Sequence, residues 1–179
     1  MEEILVLVDE LDNIKGFDTK ENCHLGNGKL HRGFVIFLFD ENNRILIQKR
    51  SDQKLIYNGF WDVSVASHPL KKQDKIETYE EAGKRRLGEE LGIYEDVPLK
   101  RVLDYVYHAP FGKYSEKEFC VLLVGEYNGE IKPNPNEIAD YKYLDIRDLN
   151  KEIKKSAYTP WFKIAFEKFS ESKFNKVFF

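Results

Sequence analysis

The chain has 179 residues, 42% of them hydrophobic and 14% aromatic, which is enough to bury one good core and reads as a single domain over 1–179. A formal charge of −3 gives no reason to expect nucleic acid or an anionic membrane as partner, so any basic site must be local. No stretch is long and apolar enough to span a bilayer, and the two cysteines, Cys23 and Cys120, are too few for a disulfide framework, which fits a reducing cytoplasm.

The acidic start MEEILVLVDE reads as a strand over 4–8 rather than a signal peptide, with a turn at Asp12-Asn13. The next segment, TKENCHLGNGKLHRG, reads as a polar loop placing His24 and His31 seven residues apart around Gly26 and Gly28. Such a loop can fold two imidazoles together around a metal, or leave both solvated. Residues 33–40 and 44–50 are apolar strands joined through Glu41-Asn42-Asn43, a hairpin signal. Lys49, Arg50 and Lys54 then gather positive charge at a strand end, either a diphosphate site or a solvated loop.

Residues 59–65 read as the next strand, with Trp61, Val63 and Val65 on one face and Asp62 and Ser64 on the other. Pro69 ends it, leaving His68 at the exit. A helix follows: Thr78 and Glu81 form a Thr-x-x-Glu start, Gly92 supplies the stop, and Arg85/Glu89 and Arg86/Glu90 are pairs four apart on shared faces. By spacing alone that helix is equally well a solvated one laced with ion pairs.

Residues 102–108 and 118–126 read as strands around a polar loop, PFGKYSEK. The period of two puts Glu116, Glu118 and Cys120 on one face and Phe119 and Val121 on the other. Carboxylates in register, with three histidines elsewhere, are the inventory for one divalent ion. The segment NGEIKPNPNEIADYKYLD reads as loop and strand, and residues 146–155 and 160–169 have helical periodicity, with Pro160 suited to a first turn. Trp161 has the spacing of an ordinary core aromatic, and the apolar end FNKVFF either packs back or meets a second subunit.

Glu77, Arg85, Leu87, Glu89, Glu90, Gly92 and Ile93 together resemble the Nudix signature. Two positions depart from it: its opening Gly falls at Lys71, and the first Glu of its core is Arg86. Arg at that position resembles the type I isopentenyl-diphosphate isomerases within the superfamily, and this resemblance runs from about Lys20 to Trp161. It implies an α/β (α+β) Nudix fold, a mixed sheet flanked by helices. It further implies a metal site of His24, His31, His68, Glu116 and Glu118 for one divalent ion (Mg2+, Mn2+ or Zn2+), and a second Mg2+ that arrives with the diphosphate and uses Glu90. Diphosphate-binding cations fall at Lys20, Arg50, Lys54 and Arg86, the Tyr bonded to the catalytic Glu118 at Tyr107, and the Trp facing the alkene at Trp161. The substrate implied is a small-molecule diphosphate.

The same resemblance asks for a catalytic Cys at the position of Ala66. Ser64, Ser67 or a water substitutes for it, or Cys23 or Cys120 supplies a thiol, or alanine was introduced there to trap substrate, or the site runs another reaction. A Nudix hydrolase acting on a prenyl or nucleoside diphosphate, supported by Glu77, Glu89 and Glu90, and a diphosphate-binding protein without turnover are therefore the competing classes. Oligomeric state and native metal are not set by the sequence.

Overall fold

The computed structural model describes residues 2–155 and 157–173, so the apolar end FNKVFF lies outside the described residues. The chain opens with β1 (Ile4–Val8) and β2 (Ile14–Thr19), an antiparallel pair closed by Asp9, whose carboxylate accepts from the amides of Leu11 and Asn13 at 3.0 Å. A short helix, α1 (Lys20–His24), follows where the sequence suggested a loop. The Thr19 hydroxyl caps it by accepting from the Asn22 amide at 3.2 Å, and no glycine intervenes before Gly26.

Next come β3 (His31–Phe39) and β4 (Arg44–Arg50), turned as expected at Glu41-Asn42-Asn43, with Asn43 at φ 57. The pair is registered only at Phe39 and Ile45 before it splays. The gap is filled by the expected third strand, which arrives broken into β5 (Trp61–Asp62), paired with β4, and β6 (Val65–Ser67), paired with β3. At the fork the Ser64 hydroxyl accepts from the Leu38 amide at 2.9 Å and donates to the Leu46 carbonyl at 2.6 Å. It replaces the ladder bonds that the splayed strands cannot make. The break also overturns the expected facing, because Val63 packs in one core and Val65 in the other.

A small hairpin, β7 (Lys71–Lys72) and β8 (Lys75–Ile76), leads into α2 (Tyr79–Leu91). The capping box at Thr78 and Glu81 is complete, and Gly92 ends the helix in the left-handed region at φ 69, as the sequence signals required. After it, β9 (Lys100–Phe111) and β10 (Tyr114–Glu126) pair antiparallel along nearly their whole length. The expected PFGKYSEK loop is thus mostly strand, turning only at Gly112 and Lys113. Its polar residues are there to line a site rather than to meet solvent. Finally come β11 (Ile138–Asp145), α3 (Ile146–Glu152) and α4 (Pro160–Glu171).

Among the described residues the main sheet has nine strands, mixed because β10 runs parallel to β3 while the other pairs are antiparallel. The alternation of β3 divides the core. Phe34, Ile36 and Leu38 pack with Ala82, Leu87 and Leu91 of α2, and Val35, Phe37 and Phe39 pack with Phe162, Ala165, Phe166 and Phe169 of α4. Phe37 meets Phe162 and Phe169 edge-on, with ring centroids 5.9 and 5.5 Å apart. Each such buried ring contributes roughly 1.5–3 kcal/mol.

Candidate active site

Three imidazoles form a triangle where α1, β3, β6 and β10 converge, with centroid separations of 4.9, 5.2 and 5.0 Å for His24–His31, His24–His68 and His31–His68. Two are aimed from behind: Nδ1 of His24 lies 2.6 Å from the Lys20 carbonyl and Nδ1 of His31 lies 2.7 Å from the Lys29 carbonyl. Each ring therefore turns Nε2 inward, the arrangement by which backbone carbonyls orient metal-binding imidazoles. One potential ligand atom each from His24, His31, His68 and Glu116 lies within 4.8 Å of the others. Glu118 adjoins them, its Oε1 being 2.9 Å from His68 Nε2 and 3.8 Å from His31 Nε2.

His31 Nε2, His68 Nε2 and Glu116 Oε2 are buried without a hydrogen bond of good geometry, despite a 3.0 Å approach of Glu116 to His24. Buried polar atoms left in this state cost about 1–3 kcal/mol each, so a divalent ion fits the group well. Burial pushes His31 down to about 4 and His68 well below the usual histidine range, leaving both as neutral nitrogen donors. Burial opposes charge on His24 too, but the Glu116 carboxylate beside it wins and raises its pKa. Glu118 is raised well above the carboxylate range, first by burial and then by Glu116. It accepts a hydrogen bond from the Tyr107 hydroxyl at 2.9 Å.

The cluster forms one end of a cavity of about 380 Å3 whose walls include Lys20, Arg50, Lys54 and Arg86, together with Ala66, Ser67, Tyr107 and Trp161. All four expected cations reach it, each with a carboxylate partner. Lys20 pairs with Glu3 at 2.7 Å, Arg50 with Asp62 at 3.0 Å, Lys54 with Glu137, and Arg86 with Glu137 at 3.2 Å. Trp161, expected either as core or as a cavity residue, is both: it is buried beside Tyr57 and Tyr107 and faces the cavity. Of the groups weighed as substitutes for a thiol, only Ser67 lines the cavity. Ser64 is committed to the β3–β4 fork, and Cys23 and Cys120 are free but buried outside the lining.

The Nudix-like helix is arranged for support. Arg85 grips both oxygens of Glu77 at 2.9 Å and donates to the His68 carbonyl at 3.2 Å, while Glu77 accepts from the Leu70 amide at 3.0 Å. These bonds fix the segment that carries His68. Arg86 lies along Glu90, donating to its Oε1 at 2.9 and 2.6 Å, and Gln48 donates to the other oxygen at 3.0 Å. Glu90 is buried and does not join the His/Glu116 group. Single-residue reading had no means of finding Gln48, Asp62 or Glu137, since each matters only through partners far away in sequence.

The family profile for the NUDIX domain matches residues 29–162, which sets the class of this protein. Isopentenyl-diphosphate Delta-isomerase 1 of Mus musculus is 38% identical over 93% of this chain and 82% of its own length. Isopentenyl-diphosphate Delta-isomerase 2 of Photorhabdus laumondii is 40% identical over 91% of this chain and 90% of its own. The chain belongs to the Nudix superfamily and, within it, to the isopentenyl-diphosphate delta-isomerase family. Among solved structures, DR0079 from Deinococcus radiodurans aligns with a TM-score of 0.74 at 23% identity, covering 93% of this chain and 98% of that one, and confirms the fold. A MutT protein from Methanosarcina mazei aligns at 0.62 with 18% identity over 79% of this chain and 94% of that one. Among the described residues no helix is long and apolar enough to cross a membrane.

Proposed function

We propose that this chain isomerises isopentenyl diphosphate to dimethylallyl diphosphate. The observation that carries the reading is a buried carboxyl, Glu118, bonded to Tyr107 at 2.9 Å and facing the same cavity as the Trp161 indole and four cationic side chains. The cations and any spare N–H of Arg50 and Arg86 hold the diphosphate by charge-assisted hydrogen bonds. Burial favours the protonated form of Glu118, so it can deliver a proton to the terminal alkene carbon and leave a tertiary cation. Tyr107 holds the carboxyl at the angle for that transfer. The face of Trp161 stabilises the cation through its quadrupole, an effect worth about 2 kcal/mol or more once water is excluded. Loss of a proton from C2 then forms the product double bond.

His24, His31, His68, Glu116 and Glu118 are the ligands for one divalent ion, Mg2+, Mn2+ or Zn2+, and Glu90 supports the Mg2+ that accompanies the diphosphate. When bound, these ions supply fixed positive charge that holds Glu118 in register and neutralises the substrate oxygens.

Ala66 on the cavity wall supports a second reading, a protein that binds the diphosphate and does not turn it over. Hydrolysis ranks below both, because the Nudix helix spends Arg86 on Glu90 and Glu77 on Arg85. The test is incubation of the metal-loaded protein with isopentenyl diphosphate in deuterated water, followed by carbon and phosphorus NMR. Deuterated dimethylallyl diphosphate is the expected product, with Ser67 or a water taking the C2 proton and Ala66→Cys raising the rate at least tenfold. Released phosphate would convert the assignment to hydrolase, and unchanged, undeuterated substrate to binding alone.

A further inference from the structure

We propose that Asp62 is a positioning residue of this site, holding the Trp161 indole and cancelling the charge of Arg50 so that the indole face is free to serve a carbocation. This deepens, and rests on, the isomerase reading. Asp62 has no solvent exposure and stands behind the cavity wall, at the end of β5. Its Oδ1 accepts from Trp161 Nε1 at 2.7 Å, from the Thr159 hydroxyl at 2.8 Å and from the Val63 amide at 2.8 Å. Its Oδ2 accepts from Arg50 Nη1 at 3.0 Å. One carboxylate therefore ties a cavity cation to the cavity indole, across 99 residues of sequence between Asp62 and Trp161.

The arrangement has an electrostatic consequence. The Arg50 guanidinium carbon lies 5.3 Å from the Trp161 ring centroid, within cation–π range. Alone, that cation would draw on the quadrupole the reaction needs and repel a second positive charge beside it. Paired with Asp62 it is neutral as a unit, yet its remaining N–H groups stay available to an anion. The Nε1–H···carboxylate bond, in a site without water, also pushes electron density toward the indole ring and fixes its angle. The edge-on Tyr57 ring, 5.2 Å away at 87°, restrains the indole further.

The test uses the metal-loaded full chain and two probes: isopentenyl diphosphate, neutral at its alkene, and 2-(dimethylamino)ethyl diphosphate, which carries a tertiary ammonium where the carbocation forms. Asp62→Asn keeps the shape and an acceptor for Nε1–H but removes the charge. It is expected to weaken the ammonium probe at least tenfold while isopentenyl diphosphate binds as well as before or more tightly, since Arg50 is no longer neutralised. In turnover, kcat falls at least tenfold with KM nearly constant. Equal weakening of both probes, or no change in either, would overturn the proposal, because a purely structural carboxylate has no reason to discriminate charge.

A second variant leaves Asp62 in place and replaces Trp161 by 3-benzothienylalanine, whose sulfur removes the N–H at constant ring shape. The same selective loss of the ammonium probe is expected, and full retention overturns the role given to the bond. If the wild type binds both probes but makes no dimethylallyl diphosphate, the isomerase reading fails. The ratio of the two affinities in Asp62→Asn still decides the assignment of Asp62.

Discussion

At Gly33 the absence of a side chain admits the Glu118 carboxylate, since a methyl group built on that Cα would overlap it. β3 and β10 run parallel here, with His31 beside Glu118 and Gly33 beside Cys120, so the carboxylate leans over bare backbone toward the imidazoles. Gly33→Ala is expected to leave the fold intact and displace the acid by about an ångström, lowering isomerisation on the order of 100-fold. Circular dichroism and the rate in deuterated water check the two halves of that statement. No pattern in the sequence marks Gly33, because its meaning depends on a strand 85 residues later (Glu118 minus Gly33). His31 belongs to the same scale. Its folded pKa, pushed down to about 4 by burial from a model value of 6.5, makes the unfolded chain the better proton acceptor between those values. Stability from neutral His31 is therefore present above 6.5 and lost as pH falls toward 4. For metal-free protein, the stability advantage of wild type over His31→Gln in urea titrations should shrink by about 2 kcal/mol between pH 7 and pH 5. A gap that stays constant or widens would show that His31 is not held neutral.

At the scale of the element, α2 was fully legible. Thr78, Glu81 and Gly92 make their predicted caps, and both Arg/Glu pairs form. Those signals are local, satisfied within a few residues whatever the rest of the chain does. Thr78→Ala removes one half of the capping box and should cost about 1 kcal/mol in chemical denaturation, with the ligand affinities unchanged. The segment 59–67 shows the opposite case. Its alternation predicted one strand with a constant facing, but insertion into the β3–β4 fork broke it at Val63-Ser64, and the facing changed with it. The polar loop assigned to 110–117 erred for a related reason. Glu116 and Ser115 are polar yet buried, because they face a site and not the solvent.

For the whole molecule, the sheet brings α1, β3, β6 and β10 together so that residues from 24 to 118 share one cluster. The expected metal ligands His24, His31, His68 and Glu116 meet, with Glu118 adjoining, and the four cations surround the same cavity. Residue types and spacing supplied the inventory, and family resemblance linked it. Only the fold supplied the convergence, the neutralising partners Asp62 and Glu137, and the separation of Glu90 from the imidazoles.

The sequence by itself determined what depends on neighbours within a turn or a strand: the caps of α2, the alternation of β3 and β10, the two-layer core, and the residue types able to hold a metal and a diphosphate. The tertiary structure decided which of those residues meet. It left Ser67 as the sole hydroxyl, among those considered, beside Ala66 on the cavity wall, and it buried Asp62 between Arg50 and Trp161. Such contacts join residues tens of positions apart, and local chemistry carries no record of how the splayed strands and the helices close around them.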